Sequence, residues 1–317
     1  MTSTSVDPGD SGPLTTRSVP YGEEELPLVE VACYLCGSRD GKTILDDPPF
    51  RVVRCGSCSF AYVTPRVPDS HLHLIYQTQY FKSHNAGDFG YSDYTKDREG
   101  YLKTFRRKAK MVSRFKSSGR VLEVGSAAGF FLHAMKESGF EVEGVEVSKY
   151  VCEFAANELG IDSVFNGRLE DAPLEGKTFD VVAMWDVIEH LADPIAELKR
   201  IRGFMKPDGI LVMQTQNVDA FFAKLLGSKW QHFKQLEHVY HFSPTTLRQA
   251  LDRAGYETVS VTNRGAGKYI SVEFFVDRMR RYSKILHHLL YPARLFGRRF
   301  FYLNPHDEII VVAKPKD

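Results

Sequence analysis

The segment from Arg120 onward alternates short apolar runs with stretches of helical periodicity, and this alternation constrains the fold more than any other feature. Apolar runs begin at residues 120, 140, 162, 179 and 209, and amphipathic stretches follow the first, second and fourth of them. Strands that alternate with helices pack as a mostly parallel sheet with helices on its faces. The sequence therefore predicts an α/β fold with five strands at these positions and a sixth at 256–263.

The turn after the first predicted strand, Gly125–Gly129, contains only small residues in the order G-S-A-A-G. Such a turn lets backbone N–H groups approach a ligand closely. A dinucleotide site requires G-x-G-x-x-G, whereas here Ala127 replaces the middle glycine, which suits a phosphate-free ligand with a carboxylate better. Glu146, at the end of the second strand, is placed to accept both hydroxyls of a ribose. Since either kind of enzyme carries an acid there, the loop alone leaves a dinucleotide and S-adenosylmethionine (SAM) both open.

Four of the five cysteines form two C-x-x-C pairs near the N-terminus: Cys33 with Cys36, and Cys55 with Cys58. The pairs are separated by the 18 residues 37–54, which matches the spacing of a structural zinc site. Four thiolates close the coordination shell, so such a metal would stabilise the module without taking part in chemistry. The alternatives are a set of buried thiols or, in an oxidising compartment, disulfides. Cys152 stands alone at a helical position and is interpreted as a core residue.

The chain is predicted to contain four regions. Residues 1–28 are rich in Ser, Thr, Pro, Gly and Glu and read as a disordered leader without the features of a secretory signal. Residues 29–66 form the zinc-binding module, and residues 67–116 a Tyr-rich helical connector that packs against its neighbour or closes as a lid. The remainder, 117–317, is the α/β domain. With no apolar run near 18 residues in the sequence, a cytoplasmic protein is the expectation.

Several motifs together resemble the class I SAM-dependent methyltransferases: "VLEVGSAAG", "GVEVS", "FDVVAMWDVIEHL" and "KPDGILVMQTQN". The most similar branch contains ubiquinone-biosynthesis-like O-methyltransferases and zinc-bearing sugar or natural-product methyltransferases. The resemblance covers about 120–262 and the last dozen residues. It implies a Rossmann-like seven-stranded sheet whose last strand, in "NPHDEIIVVAKPK", runs antiparallel beside the fifth. It also implies SAM as the cofactor and S-adenosyl-L-homocysteine as its product.

The same resemblance implies which residues bind the cofactor. The Gly125–Gly129 backbone and Glu123 would face the methionine moiety, and Glu146 would bind the ribose. The full set that it implies is Glu123, Gly125, Ser126, Gly129, Glu146, Val147, Ser148, Leu169, Glu170, Asp171, Trp185 and Asp186. One departure is the loop itself, since G-S-A-A-G replaces the G-C-G-x-G that is commoner in the family.

Methyl transfer from SAM is an in-line displacement, so the protein mainly positions the acceptor and removes a proton. The candidate bases are His238, His190 and His241, with His238 preferred. His190 follows the fourth strand, where the open end of the sheet binds ligands. His238 and His241 lie in "WQHFKQLEHVYHFSP" with His232, and Glu237 is able to orient one of the rings. The alternative for His190 and His241 is a structural role at a turn and at a helix start.

A basic amphipathic insertion at about 268–304 separates the last two strands. Eight Lys and Arg residues lie between 268 and 302, against two acidic residues, Glu273 and Asp277. The interpretations are a cover over the acceptor cleft, an interfacial helix near anionic lipid, or a cradle for a diphosphate-linked sugar. Nucleic acid is disfavoured as a partner because the net charge is only +1.

The function predicted from these features is methyl transfer from SAM to a small-molecule or carrier-linked acceptor. A hydroxyl of a sugar or secondary metabolite is preferred, with a histidine as general base. The acceptor is expected free or linked to a nucleotide or lipid, with peripheral contact to the inner membrane face through the insertion. The alternatives are C-methylation of a ketosugar, a zinc-assisted RNA methyltransferase and a catalytically silent SAM-fold scaffold. The sequence does not indicate the oligomeric state.

Overall fold

The computed structural model describes residues 14–21, 24–75 and 97–316. In chain order its strands are β1 (Leu14–Tyr21), β2 (Glu24–Val29), β3 (Gly41–Asp47), β4 (Phe50–Cys55), β5 (Ala61–Val63), β6 (Arg120–Val124), β7 (Glu141–Glu146), β8 (Val164–Asn166), β9 (Phe179–Trp185), β10 (Met205–Gln216), β11 (Tyr240–His241), β12 (Tyr256–Thr262), β13 (Lys268–Ser271), β14 (Phe300–Leu303) and β15 (Glu308–Pro315). The α-helices are α1 (Leu72–Ile75), α2 (Arg98–Val112), α3 (Phe130–Glu137), α4 (Lys149–Leu159), α5 (Pro194–Gly203), α6 (Phe221–Leu226), α7 (Pro244–Arg253), α8 (Val272–Tyr282) and α9 (Lys284–Leu290).

The largest sheet of the described residues has seven strands in the order β12-β15-β10-β9-β6-β7-β8. Neighbours from β10 to β8 pair in parallel, whereas β15 is antiparallel to both β10 and β12. This confirms the predicted α/β class and the antiparallel last strand. It also brings the carboxyl ends of β6, β7, β9 and β10 to one edge, where open α/β sheets bind ligands.

Both faces of the large sheet are buried, because adjacent residues along each strand point to opposite sides. Val121 and Val181 pack with α2 and α3 on one face, and their neighbours Leu122 and Val182 belong to the apolar cluster on the other. The apolar cluster that contains Leu122 and Val182 also includes Leu198 of α5 and the buried face of α7. The helices therefore hold the loops at the ligand-binding edge from two sides.

The N-terminal segment differs from the predicted disordered leader. Strands β1 and β2 pair antiparallel, and Leu26 and Leu28 of β2 are buried in the main apolar cluster. Two leucines at alternate positions supply enough apolar burial to order a strand, which the polar composition of residues 1–28 concealed. Residues 1–13, 22–23, 76–96 and 317 lie outside the described residues, and 21 of the 50 residues of the predicted connector are among them.

The cysteine-rich segment shares a sheet with the α/β domain. Strands β3, β4 and β5 pair in antiparallel fashion, and β11, from the long connection after β10, adds to the edge of β5. Tyr240 pairs with Tyr62, and its ring lies 5.5 Å from that of Phe60. Since the apolar cluster runs from β2–β5 into α5 and α7, the two regions have one core.

In the insertion between β12 and β15, strands β13 and β14 pair in antiparallel fashion. Between these two strands in the sequence lie α8, α9 and a 3₁₀ helix at Tyr291–Phe296. Helix α2 contacts β13, and the backbone N–H of Tyr269 donates to the Thr104 hydroxyl over 2.8 Å. Within the part of the chain that the structure describes, no helix is both long and apolar enough to cross a membrane.

Candidate active site

The loop between β6 and α3 is held in a left-handed conformation by its small residues. Gly125 and Gly129 have φ angles of 70° and 75°, and Ala127, at 45°, also lies in the left-handed region. A Cβ on Gly125 would come within 2.6 Å of Val187 Cγ2, and one on Gly129 within 2.9 Å of the Ala155 side chain. Both glycines are therefore required by the backbone conformation and by close packing.

Glu146 at the end of β7 accepts a hydrogen bond from this loop. Its Oε2 accepts from the backbone N–H of Ala127 and its Oε1 from that of Ser148, each over 2.9 Å. Burial raises the pKa of Glu146, although hydrogen bonds from Ser148 and Ala127 act in the opposite direction. Each carboxylate oxygen retains a second lone-pair position, so this side chain is able to accept ribose hydroxyls as well. Val147, next to it, is 51% exposed and presents an apolar surface.

Two buried polar atoms around the loop lack a hydrogen-bond partner among the described residues: Glu123 Oε2 and Ser126 Oγ. Burial raises the pKa of Glu123 well above its usual value, and Lys108 partly offsets that rise. Buried polar atoms are rarely left unpaired in a folded protein. The family resemblance predicts that both residues lie at the methionine end of the cofactor.

Glu170 and Asp171, in the segment after β8, differ in their ion pairs. Glu170 lies 3.4 Å from Arg168 and 3.5 Å from Arg200, whereas Asp171, also exposed, has no ion pair in the structure's described part. Leu169 is buried beneath them. Of the two candidates for the adenine contact, Asp171 is the one whose carboxylate is not already engaged by arginine.

Trp185 lies in the core at the end of β9. Its ring packs edge-on against Phe131, with centroids 5.0 Å apart, and Lys108 Nζ lies 4.3 Å from its centroid. Burial lowers the pKa of Lys108 to about 8. Its side chain is 2% exposed, whereas Arg106, Arg107 and Lys110 of the same helix are exposed. Asp186 and Glu308 lie near this lysine and compensate its charge.

Asp186 belongs to a partly buried network of charges at the ligand-binding edge. Lys268 Nζ lies 3.3 Å from Asp186 Oδ2 and 3.1 Å from Glu308 Oε1, and the Gln214 amide donates to Glu308 over 3.0 Å. Burial opposes the charge of Lys268, but the two carboxylates hold its pKa above the usual value. Asp186 also has a positive φ of 57°, a backbone strain that is common at functional sites. The insertion thus supplies a cation to the predicted SAM-binding end of β9.

The structure brings the predicted histidines together. The rings of His190 and His238 are 4.6 Å apart, centroid to centroid, and His238 lies 6.4 Å from His241. His238 Nδ1 is 2.9 Å from the carbonyl oxygen of His232, and a carbonyl accepts only. The proton is therefore on Nδ1, which leaves Nε2 as the basic nitrogen of the neutral ring.

Burial dominates the protonation of this cluster. It lowers the pKa of His238 well below its ordinary value and that of His190 to about 4. His241 is wholly buried in β11, its pKa is lowered to about 3, and neither ring nitrogen has a partner among the described residues. The cluster is accordingly neutral at physiological pH, as a general base must be before it accepts a proton.

Glu189 completes the cluster beside the histidines. It accepts from the Thr215 hydroxyl over 2.9 Å, and burial, with the nearby charge of Asp186, raises its pKa to about 8. Ligand-type atoms of Glu189, His190 and His238 all lie within 4.8 Å of one another. The sequence did not predict that Glu189, Lys108 and Lys268 belong to the site. Of these three residues, only Glu189 had a sequence signal, because it lies in the "VIEHL" motif.

The four cysteines of the two C-x-x-C pairs meet at one point. Sγ of Cys33 lies 3.4 Å from that of Cys58, Sγ of Cys36 lies 3.5 Å from that of Cys55, and all four atoms lie within 4.8 Å of one another. A tetrahedral site with bonds near 2.3 Å separates its sulfurs by about 3.8 Å. The donor set and the spacing therefore fit a four-thiolate zinc site.

Strand order, glycine loop and acid at the end of β7 define this chain as a class I SAM-dependent methyltransferase. The family model for the methyltransferase domain matches residues 94–261, just over half of the chain. The chain belongs to that methyltransferase domain family.

Similar curated proteins match about a third of the chain. A ubiquinone biosynthesis O-methyltransferase of Cereibacter sphaeroides is 32% identical over 117 residues, 35% of this chain and 47% of the relative. A mitochondrial relative of the same name from Schizosaccharomyces pombe is 34% identical over 105 residues, 31% of this chain and 38% of its own length. The chain thus spans about half or less of the length of these relatives.

Solved methyltransferase structures are similar at lower identity. Magnesium protoporphyrin IX methyltransferase of Synechocystis, with bound S-adenosylhomocysteine, is 15% identical with a TM-score of 0.46, covering 73% of this chain and 90% of that one. The CcbJ methyltransferase of Streptomyces caelestis is 15% identical with a TM-score of 0.45, covering 67% of this chain and 90% of its own.

Replacing Glu146 by alanine is expected to weaken SAM binding by more than about tenfold, because hydrogen bonds to a buried carboxylate are lost. Isothermal titration of SAM measures the change. Glu141→Ala, at the start of the same strand and exposed, is the matched control and should bind as the wild type does. A dissociation constant that is the same in all three proteins would remove Glu146 from the SAM site.

Proposed function

We propose that this methyltransferase acts on a hydroxyl group of a sugar or secondary metabolite, with His238 as the general base. The observation that carries the proposal is the hydrogen bond from His238 Nδ1 to the carbonyl of His232, which fixes the tautomer. With Nδ1 protonated, Nε2 is the atom that accepts a proton. Burial keeps the ring neutral, so it is ready to do so near neutral pH.

In the proposed reaction the acceptor oxygen attacks the methyl carbon of SAM as the bond from that carbon to sulfur breaks. The hydroxyl proton passes to His238 Nε2, and S-adenosyl-L-homocysteine leaves. Because SAM already carries a good leaving group, the enzyme's task is to align the oxygen and remove its proton. His190 packs edge-on against His238, and Glu189 lies beside both rings.

The proposed cofactor residues surround the loop. In this proposal Glu146 and the loop N–H groups bind the ribose and methionine ends, with Glu123 and Ser126 supplying unpaired polar atoms. The exposed side chain of Val147 covers the adenine, and Asp171 accepts from its amino group. Asp186 lies at the proposed sulfonium end, and Lys268 pairs with its carboxylate.

A polar acceptor suits the neighbouring side chains. Charged and hydrogen-bonding groups are supplied here by Lys268, Gln214 and Glu308. Such groups match an acceptor that carries hydroxyl groups better than an acceptor that is an apolar ring. C-methylation of a ketosugar is the second candidate, because His238 is equally placed to take a proton from carbon next to a carbonyl. Zinc in the four-cysteine site is proposed as structural, since four thiolates leave no position for a substrate.

The test is incubation of the protein with methyl-labelled SAM and an extract of the source cells, separated into water-soluble, lipid and RNA fractions. Label in a hydroxyl of a soluble or lipid-linked sugar or metabolite is the expected result. Label on carbon would replace O-methylation by the second candidate. Label in RNA would overturn the proposal and give the cysteine module a role in gripping nucleic acid.

A further inference from the structure

The insertion contains a unit with almost no buried side chain. Helix α8 buries only Val276, and neither α9 nor the 3₁₀ helix at Tyr291–Phe296 has a buried residue. Both of these elements contact α8, and α8 contacts β13. The unit therefore meets the α/β domain mainly through α8 and β13, and many of its side chains are exposed.

That outward surface is strongly apolar. Large apolar side chains are exposed along the twelve residues 285–296, and Ile285, Leu289 and Leu295 are 75%, 73% and 89% exposed. Leu286, Tyr291 and Phe296 add to the same stretch. Single exposed apolar residues need no explanation, but a contiguous group of this kind marks an interaction site. An amphipathic cover over the acceptor cleft would instead have turned these side chains inward.

The same unit is one-sided in charge. From Arg278 to His306 the sequence has seven Lys and Arg residues and no acidic residue. The two acids earlier in α8, Glu273 and Asp277, are both paired with Arg294. Five exposed cations therefore have no carboxylate of the same unit as a partner. These cations are Arg280, Arg281, Lys284, Arg298 and Arg299.

We propose that this insertion surface, the apolar residues 285–296 with the five exposed cations beside them, binds the surface of an anionic membrane. Apolar side chains set among basic ones are the pattern of a helix that lies in the lipid interface. Tyr291 and Phe296, each about half exposed, suit the aromatic layer at headgroup depth. A second copy meeting the same face would bring the two sets of cations together, and nucleic acid would leave the apolar side chains uncovered.

The test measures binding of the full chain to vesicles by co-sedimentation, with neither SAM nor an acceptor present, so it is independent of the proposed function. Vesicles of phosphatidylcholine are compared with vesicles that also contain phosphatidylglycerol, at low and high salt. We expect binding to the anionic vesicles only, weakened by salt. The double variants Ile285→Glu/Leu295→Glu and Arg298→Glu/Arg299→Glu should each bind at least about tenfold more weakly.

Val259→Glu is the matched control, because it places the same charge at an exposed apolar residue of β12, outside the insertion. It should bind as the wild type does, and SAM affinity should be unchanged in every variant, which shows that the fold is intact. Equal binding by wild type and both double variants overturns the proposal, as does no binding at all. A dimer in light scattering that the Ile285→Glu/Leu295→Glu variant dissociates would assign the surface to a second copy and also overturn it.

Discussion

His238→Ala is expected to lower the rate of methyl transfer at least ~100-fold while leaving the dissociation constant of SAM unchanged, because a general base contributes on that scale. Single-turnover transfer to the acceptor identified by labelling measures the rate. His133→Ala, on α3 and remote in sequence from the cluster, is the matched control. Wild-type turnover in His238→Ala would move the search to His190 or His241.

A second variant separates catalysis from support of the fold. His238→Asn retains a side-chain N–H that can donate to the His232 carbonyl, but it has no basic nitrogen. If His238 is the base, the asparagine variant is as slow as the alanine variant while its thermal midpoint stays at the wild-type value. Recovery of turnover in His238→Asn would show that the hydrogen bond, and not the base, is what matters.

The pH profile gives an independent reading of the same residue. A base acts only when unprotonated, and burial lowers the pKa of His238 below the ordinary value of about 6.5. Activity should therefore stay level as the pH falls from about 8 to about 6.5 and decline only in more acidic solution. A half-maximal rate at or above pH 7 would contradict a buried, neutral histidine as the base.

Cys55→Ser has the second large expected effect, loss of the proposed zinc together with order in the N-terminal module. Structural zinc contributes binding energy directly to folding, so losing one of four thiolates removes most of it. Because β11 pairs with β5, the segment that carries His238 should loosen as well. The expected result is a metal content near zero instead of one per chain, little methyl transfer and SAM binding that persists.

Cys152→Ser is the control for this prediction, since Cys152 lies on α4 away from the cluster in sequence and its removal should leave the zinc content at one per chain. Metal analysis of the purified proteins and hydrogen exchange of residues 29–66 report the two effects separately. Protein that contains no metal, has four titratable thiols and yet protects these residues from exchange would refute the zinc site.

The sequence by itself determined the parts of this protein that depend on neighbouring residues. The alternation of apolar runs and helical stretches predicts the strands of the large sheet, and the observed pairing confirms it. Left-handed backbone at Gly125 and Gly129 follows from residue type, since only a small residue fits there. The spacing of the four cysteines along the chain predicts a common metal site, and their sulfur atoms lie within 4.8 Å of one another.

Tertiary structure decided whatever depends on residues distant along the chain. Lys108 and Lys268 belong to helix and hairpin segments with ordinary basic composition, and only folding brings them to Asp186. The pairing of β11 with β5 joins residues about 180 apart, and no local pattern encodes it. The protonation of His238 is decided in the same way, because the carbonyl that fixes its tautomer and the burial that keeps it neutral arise only when these segments pack together.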